Sequence, residues 1–76
     1  MEATYMGEKA IAASVGDVVM SPGNVRGIVI AVKGTFVTVL GIITNKEGDT
    51  FVLRPLLVHD FLASQCHYME KQTLNP

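Results

Sequence analysis

The 76-residue chain has one cysteine, three prolines, no tryptophan and few charged side chains. Because Cys66 has no second cysteine to pair with, an intramolecular disulfide is excluded, and a lone cysteine is typical of a reducing compartment. A chain this short buries only about 60% of its unfolded surface, so it usually needs a disulfide, a metal or association for stability. Without a disulfide, association is the favoured supplement.

Charge of either sign is sparse. Charged residues make up 17% of the chain, with six Lys or Arg against seven Asp or Glu and a formal net charge of -1. Strong nonspecific binding to nucleic acid depends on clustered cations that displace counterions from phosphates. Here the cations are scattered, so the composition argues against such binding and leaves open only a small local patch.

Long apolar runs are also missing. The longest, "FVTVLGII", is far shorter than the roughly 20 residues that cross a bilayer. A signal peptide would carry positive charge near its start, where this chain has Glu2. We therefore expect a soluble, cytoplasmic protein.

No motif for catalysis, metal binding or cofactor binding is present. Cys66 and His67 are neighbours and His59 lies eight positions earlier, a spacing that matches no zinc-ligand pattern and no Cys–His nucleophile motif. The isolated carboxylates fall in or beside predicted turns, where we expect them to be solvated: Asp17, Glu47, Asp49 and Asp60. We predict no catalytic residue, no metal and no cofactor.

Hydrophobic residues are abundant: they make up 49% of the chain, and many of them are β-branched. Short runs of these residues alternate with turn residues, in "VGDVVMS", "VRGIVIAVK", "FVTVLGIIT" and "TFVLR". We predict a turn at Gly34 after the second run and a turn in "NKEGD", which begins at Asn45, after the third; Pro55 ends the fourth run. Such spacing is typical of a small all-β barrel or sandwich. We predict a five-stranded, partly open barrel over residues 14–60, preceded by an irregular arm over residues 1–13.

Residues 61–76 are predicted to form a short C-terminal helix or tail. Asp60 can cap a helix, and Leu62, Cys66 and Met69 recur at three- and four-residue steps, which favours a helix from about Asp60 to Lys71.

The second and third predicted strands are apolar on both sides. A half-solvated antiparallel strand alternates apolar with polar residues, so one of these faces lacks an obvious cover within so small a chain. Either the C-terminal tail or another subunit would cover it. Taking one side of these strands as outward, we predict an interface through Val29, Ala31, Phe36, Leu40 and Ile42; the apolar residues on the opposite side are the alternative.

The stretch "VGDVVMSPGNVRGIVIAVKGTFVTV" resembles a KOW motif. It matches that motif in the Gly16-Asp17 opening, Gly23 in the loop, Gly27 near the start of the next strand, and Val37-Thr38-Val39 after a tight turn. The resemblance implies a Src-homology-3-like barrel, found in ribosomal proteins and transcription elongation factors, that binds RNA or protein. The loop that is basic in RNA-binding members has only Arg26 here, which favours protein.

The chain is also similar to the plasmid-encoded type II dihydrofolate reductases, small barrels that work as tetramers. "GDVV", "GIVIAV" and "RPLLVHDF" follow in a similar order. The Val-Gln-Ile-Tyr active-site stretch of that family is replaced here by Phe51-Val52-Leu53-Arg54. This resemblance implies architecture and oligomerisation, and does not imply the reaction.

We therefore expect a non-enzymatic binding module that contacts a protein partner or copies of itself, most simply as a homo-oligomer. The alternative is RNA or DNA binding through a local patch that combines Phe36 or Phe51 with Arg26, Lys33, Lys46 and Arg54. A third hypothesis, an active site assembled between subunits, stays open because one chain cannot show it.

Overall fold

The chain forms five strands of a single antiparallel sheet, four of them from the β-branched runs, as the computed structural model shows for residues 2–71. The all-β prediction is confirmed. The sheet has the order β4-β3-β2-β1-β5 and is not closed into a barrel. The strands are β1 (Asp17–Ser21), β2 (Val25–Lys33), β3 (Phe36–Glu47), β4 (Thr50–Leu62) and β5 (His67–Lys71).

Glycine makes the tight connections between the central strands. Gly34 links β2 to β3 and Gly48 links β3 to β4, with φ values of 58° and 62°. Each is the first residue of a two-residue loop whose second residue has no positive φ, which describes a type II′ turn. The turn predicted at Gly34 and the one predicted after Asn45 are confirmed.

The predicted helix from Asp60 to Lys71 is wrong. β4 continues to Leu62, a single 3₁₀ turn follows over Ala63–Gln65, and β5 then pairs with β1. An isolated helix of this length is marginal in water, whereas pairing with β1 satisfies the backbone of both strands. Ala63 and Cys66 are fully buried, so the 3₁₀ turn packs on the core.

The N-terminal arm belongs to the core. Ala3 and Tyr5 are buried, and the arm forms isolated bridges between Thr4 and Ala12 and between Met6 and His67 of β5. The apolar core thus combines the arm, the 3₁₀ turn and one side of the central strands, through Ala3, Tyr5, Val19, Val29, Val37, Val39, Ala63 and Cys66.

We call the side of the sheet that faces this core the core face, and the opposite side the outer face. Val29 pairs with Val39, and both are buried on the core face. A register shift between Val29 and Ala31 then places Ala31 opposite Thr38, which lies on the outer face between Val37 and Val39. The bulge explains why simple alternation grouped Val29 with Ala31 in the predicted interface.

Gly27 shows how closely β2 and β3 approach. A Cβ at this position would clash with Val39 Cγ1 and lie 2.9 Å from the carbonyl oxygen of Leu40. Glycine therefore stands here because of close packing on the core face.

Candidate functional site

The distal half of the β3–β4 hairpin projects beyond the rest of the sheet. β3 and β4 have 12 and 13 residues, whereas β1 has five, so the far ends of the hairpin pair only with each other. Every residue from 43 to 60 is exposed except Val52, which is half-buried. The described part of the chain therefore leaves this hairpin without a layer packed over it.

The exposed hairpin is rich in large apolar side chains. Phe51 is 71% exposed, Leu57 66% and Leu53 58%. Burying apolar surface is favourable by about 25 cal/mol for each Å² removed from water. Several large apolar side chains exposed along one strand therefore mark an interaction site. We call the following residues of β4 the apolar edge: Phe51, Leu53, Leu56, Leu57 and Val58.

The apolar edge lies on a strand with one free side. β4 is the last strand of the sheet, so its outward backbone groups have no strand partner among residues 2–71. Such an edge is a template for pairing with another chain unless charges, prolines or bulges obstruct it. Pro55 and a register shift between Leu40 and Ile42 interrupt the middle of β4. The segment from Thr50 to Arg54 is regular throughout.

Proline is tolerated at position 55 because of the strand's location. The sequence predicted that Pro55 would end the fourth strand, yet β4 continues for seven residues beyond it. On an edge strand the missing N–H can face the free side, so no bond within the sheet is lost. The run "TFVLRPLLV" is therefore one exposed strand.

Four of the five predicted interface residues lie on the outer face. Phe36, Leu40 and Ile42 alternate along β3, and Ala31 joins them through its pairing with Thr38. Phe36 is exposed and the other three are half-buried. Val29 does not belong to this surface, because it is fully buried on the core face. That the other four contact a partner stays a prediction.

The outer face and the apolar edge are continuous. Val58 lies opposite Leu40, and Leu53 lies opposite Thr44 on the same face as Ile42. Leu62 lies opposite Phe36 at the other end of the hairpin. Apolar side chains of β3 and β4 thus follow the outer face along most of the hairpin's length.

A groove of about 310 Å³ opens on the core-face side of β4. Its walls come from the β1–β2 connection on one side and from the bulged part of β4 on the other. The lining is mainly apolar, with Ser21, Pro22, Val25, Val39, Gly41, Leu56, Leu57, His59 and Phe61. The rings of His59 and Phe61 are 5.9 Å apart.

The four cations of the nucleic-acid hypothesis are not brought together. Arg26 and Lys33 lie near opposite ends of β2, seven residues and therefore about 23 Å apart along an extended strand. Arg54 forms a salt bridge with Glu47. Arg26 borders a second cavity of about 290 Å³ that also contains Glu70. Carboxylates therefore accompany two of the four cations.

Asp17 is buried, contrary to the prediction that it is solvated. Tyr5 Oη donates to Asp17 Oδ2 at 2.6 Å, the Ser14 backbone N–H donates to the same oxygen at 2.9 Å, and Lys71 Nζ lies 3.0 Å from Oδ1. Burial alone would raise the pKa of Asp17, but hydrogen bonds from these residues and the charge of Lys71 outweigh it and lower the pKa. Burial, with the hydrogen bond to Asp17, raises the pKa of Tyr5.

The other three carboxylates are exposed, in agreement with the prediction that they are solvated. Glu47 and Asp49 are exposed beside the β3–β4 turn, and Asp60 is exposed while accepting a 2.6 Å hydrogen bond from Thr38 Oγ1. The buried Asp17 carboxylate is fully hydrogen-bonded, and through Tyr5 and the exposed Lys71 it joins the arm, β1 and β5, which is a structural role.

Cysteine and histidine do not converge on a metal position. Cys66 is buried and its burial raises the pKa of the thiol, while His67 is exposed. Among residues 2–71, no three His, Cys, Asp or Glu side chains are arranged to hold a metal ion.

Over the same residues, no helix has the length and hydropathy needed to cross a bilayer.

Sequence reasoning missed the apolar edge. It ended the fourth strand at Pro55 and sought the interface on β2 and β3. The available signal was the pair of apolar runs "FVL" and "PLLV". Joined into one strand, they place apolar residues on both of its sides, with a proline in its middle.

No protein-family model, curated protein or solved structure matches this chain.

Proposed function

We propose that this chain is a non-enzymatic binding module that acts through protein–protein contacts and associates with copies of itself. The observation that carries the proposal is the apolar edge: five large apolar side chains of one edge strand, each at least 46% exposed. Interfaces bury side chains of this kind at their centre and leave charge at the rim.

The charge distribution supports the same proposal. The apolar edge itself contains no charged residue; Arg54 of the same strand is paired with Glu47, and Lys46 lies opposite Phe51 at the end of the hairpin. A partner that covers this surface would leave no charge of the apolar edge unpaired, which is the condition for favourable burial. The resemblances to KOW-type barrels and to tetrameric type II reductases agree with protein contact and oligomerisation as the role of such a domain.

The size of the domain gives a further reason. The buried apolar core of residues 2–71 is modest, because its largest aliphatic side chains are valines. Association would remove Phe51 and Leu57 from water and so add stability that the isolated chain lacks.

Sedimentation velocity over a wide range of concentration tests the proposal. We expect the mean mass to rise with concentration for the unaltered chain, and to stay at that of a monomer when Phe51 and Leu57 are both changed to Thr. As a matched control, Val15→Thr changes an apolar residue that is 60% exposed but lies outside the apolar edge, and it should leave the rise unchanged. A chain that remains a monomer at every concentration contradicts self-association.

A further inference from the structure

On part of its free side, β4 has backbone N–H and C=O groups positioned to pair with another strand. Glu47 and Thr50 flank a two-residue turn and form its hydrogen-bonded pair, so hydrogen-bonded and non-hydrogen-bonded pairs alternate from there along the hairpin. Phe51 and Leu53 then occupy non-hydrogen-bonded positions opposite Lys46 and Thr44. Their N–H and C=O groups point away from β3, toward the free side.

Within this segment the only feature that obstructs an edge is the charge of Arg54, which is paired with Glu47. Beyond it, Pro55 offers no N–H, the bulge bends the strand, and Asp60 introduces charge. Between Thr50 and Arg54 the strand is regular and contains three apolar residues in succession. The regular part of β4 therefore presents its outward bonding groups at Phe51 and Leu53.

We propose that the segment Thr50–Arg54 of one copy pairs antiparallel with the same segment of a second copy, about a two-fold axis at Val52. This inference deepens the proposed function, on which it rests, by naming the partner and the pairing. In this register Phe51 lies opposite Leu53 of the second copy, and Val52 lies opposite Val52.

The register is selected by the hydrogen bonds. Phe51 and Leu53 of each copy donate and accept once across the axis, which makes four N–H···O=C bonds and leaves no outward group of these residues unpaired. A shift by two residues in one direction pairs Phe51 with Pro55, which cannot donate. A shift in the other direction pairs Phe51 with Phe51 and leaves Leu53 opposite the turn residue Asp49. The axis at Val52 is therefore the register that pairs every outward N–H and C=O of Phe51 and Leu53, whereas the shift toward Pro55 leaves the Phe51 carbonyl without a donor.

The side chains agree with this register. A two-fold axis perpendicular to the sheet keeps the outer faces on one side, so Phe51 and Leu53 of both copies form a single apolar cluster. At each end, Arg54 lies next to Asp49 of the second copy, and no two like charges face each other. Five paired residues span about 17 Å, so this interface is at the small end of the known range and we expect reversible association.

Cysteine substitution tests the pairing with the full chain. In the proposed register the two Val52 residues form a non-hydrogen-bonded pair, with Cα atoms about 4.5 Å apart, which a disulfide can bridge. We expect Val52→Cys to give mostly covalent dimer under mild oxidation at a concentration where the unaltered chain associates. Leu57→Cys, more exposed on the same strand, is the matched control and should stay mostly monomeric. The unaltered chain should not cross-link, because Cys66 is buried.

The outcomes separate this pairing from self-association in general. Rapid cross-linking of V52C with little of L57C supports the pairing. If the unaltered chain associates in sedimentation but V52C does not cross-link, or cross-links no better than L57C, the pairing is overturned and the proposed function stands. If the unaltered chain never associates, both are overturned.

Discussion

Asp17 holds three segments of the chain together through one carboxylate. It accepts from Tyr5 and Ser14 of the N-terminal region and pairs with Lys71 at the end of β5. The sequence places Asp17 after Gly16 and before a strand, a setting in which aspartate is usually solvated. Its three partners lie up to 54 positions away, so only the folded chain brings them together.

Replacing this carboxylate should destabilise the fold. We expect Asp17→Asn to lower the free energy of unfolding by about 2 kcal/mol, because hydrogen bonds to a buried charge contribute about 1.5–3 kcal/mol. Urea denaturation followed by circular dichroism measures the change. Glu47→Gln, which removes an exposed ion pair, is the control and should have little effect. Equal effects of the two substitutions would contradict a structural role for Asp17.

The same residue predicts a pH dependence. Because the folded-state pKa of Asp17 is lowered, its contribution is complete above the ordinary aspartate pKa of about 3.9 and is lost as the pH falls toward the folded-state value. The difference in unfolding free energy between the unaltered chain and D17N should thus be constant from pH 7 to about pH 5 and shrink below about pH 4. A difference that persists unchanged at the lowest accessible pH would be evidence against the lowered pKa.

Among the elements, the central strands could be predicted and the ends of the chain could not. β2 has the predicted bounds, since "VRGIVIAVK" lies between turn residues that admit no continuation. The core face of β3 follows from alternation. The bulge after Val29 has no sequence signature in a run of β-branched residues, and β5 forms because it pairs with β1. Neither feature could be predicted from local sequence.

The N-terminal arm is the element whose importance was least visible. Its sequence has no alternation, yet it supplies Tyr5, which stacks on Tyr68 with ring centroids 5.9 Å apart. Small residues at Ala3 and Ala13 let the arm lie close to the sheet. A segment whose secondary structure is poorly predicted from its sequence can still complete a core.

Two substitutions separate the arm's packing from its hydrogen bond. Tyr5→Ala should cost about 3–5 kcal/mol, as expected when a buried aromatic ring is removed from a core. Tyr5→Phe keeps the ring and loses only the bond to Asp17, so we expect a cost of about 1–2 kcal/mol. Urea midpoints compare the two. If the alanine variant is as stable as the phenylalanine variant, the arm does not cover the core.

At the scale of the whole molecule, the chain has more apolar surface than one small sheet can bury. The sequence indicated this excess through the two-sided pattern of β2 and β3, and four of the five residues it selected lie together on the outer face. The larger exposed set is on β4, which sequence reasoning ended at Pro55. The excess was therefore predicted, while its location depended on a hairpin length that local sequence does not determine.

We propose that a second copy covers the edge of β4 at Phe51 and Leu53. Amide hydrogen exchange resolved by residue, at low and at high protein concentration, tests it most directly. We expect the amides of Phe51 and Leu53 to exchange fast in dilute solution and markedly slower when the protein is concentrated, while the amide of the exposed residue Lys9 changes little. Fast exchange at both amides in a sample shown by sedimentation to be associated would contradict it.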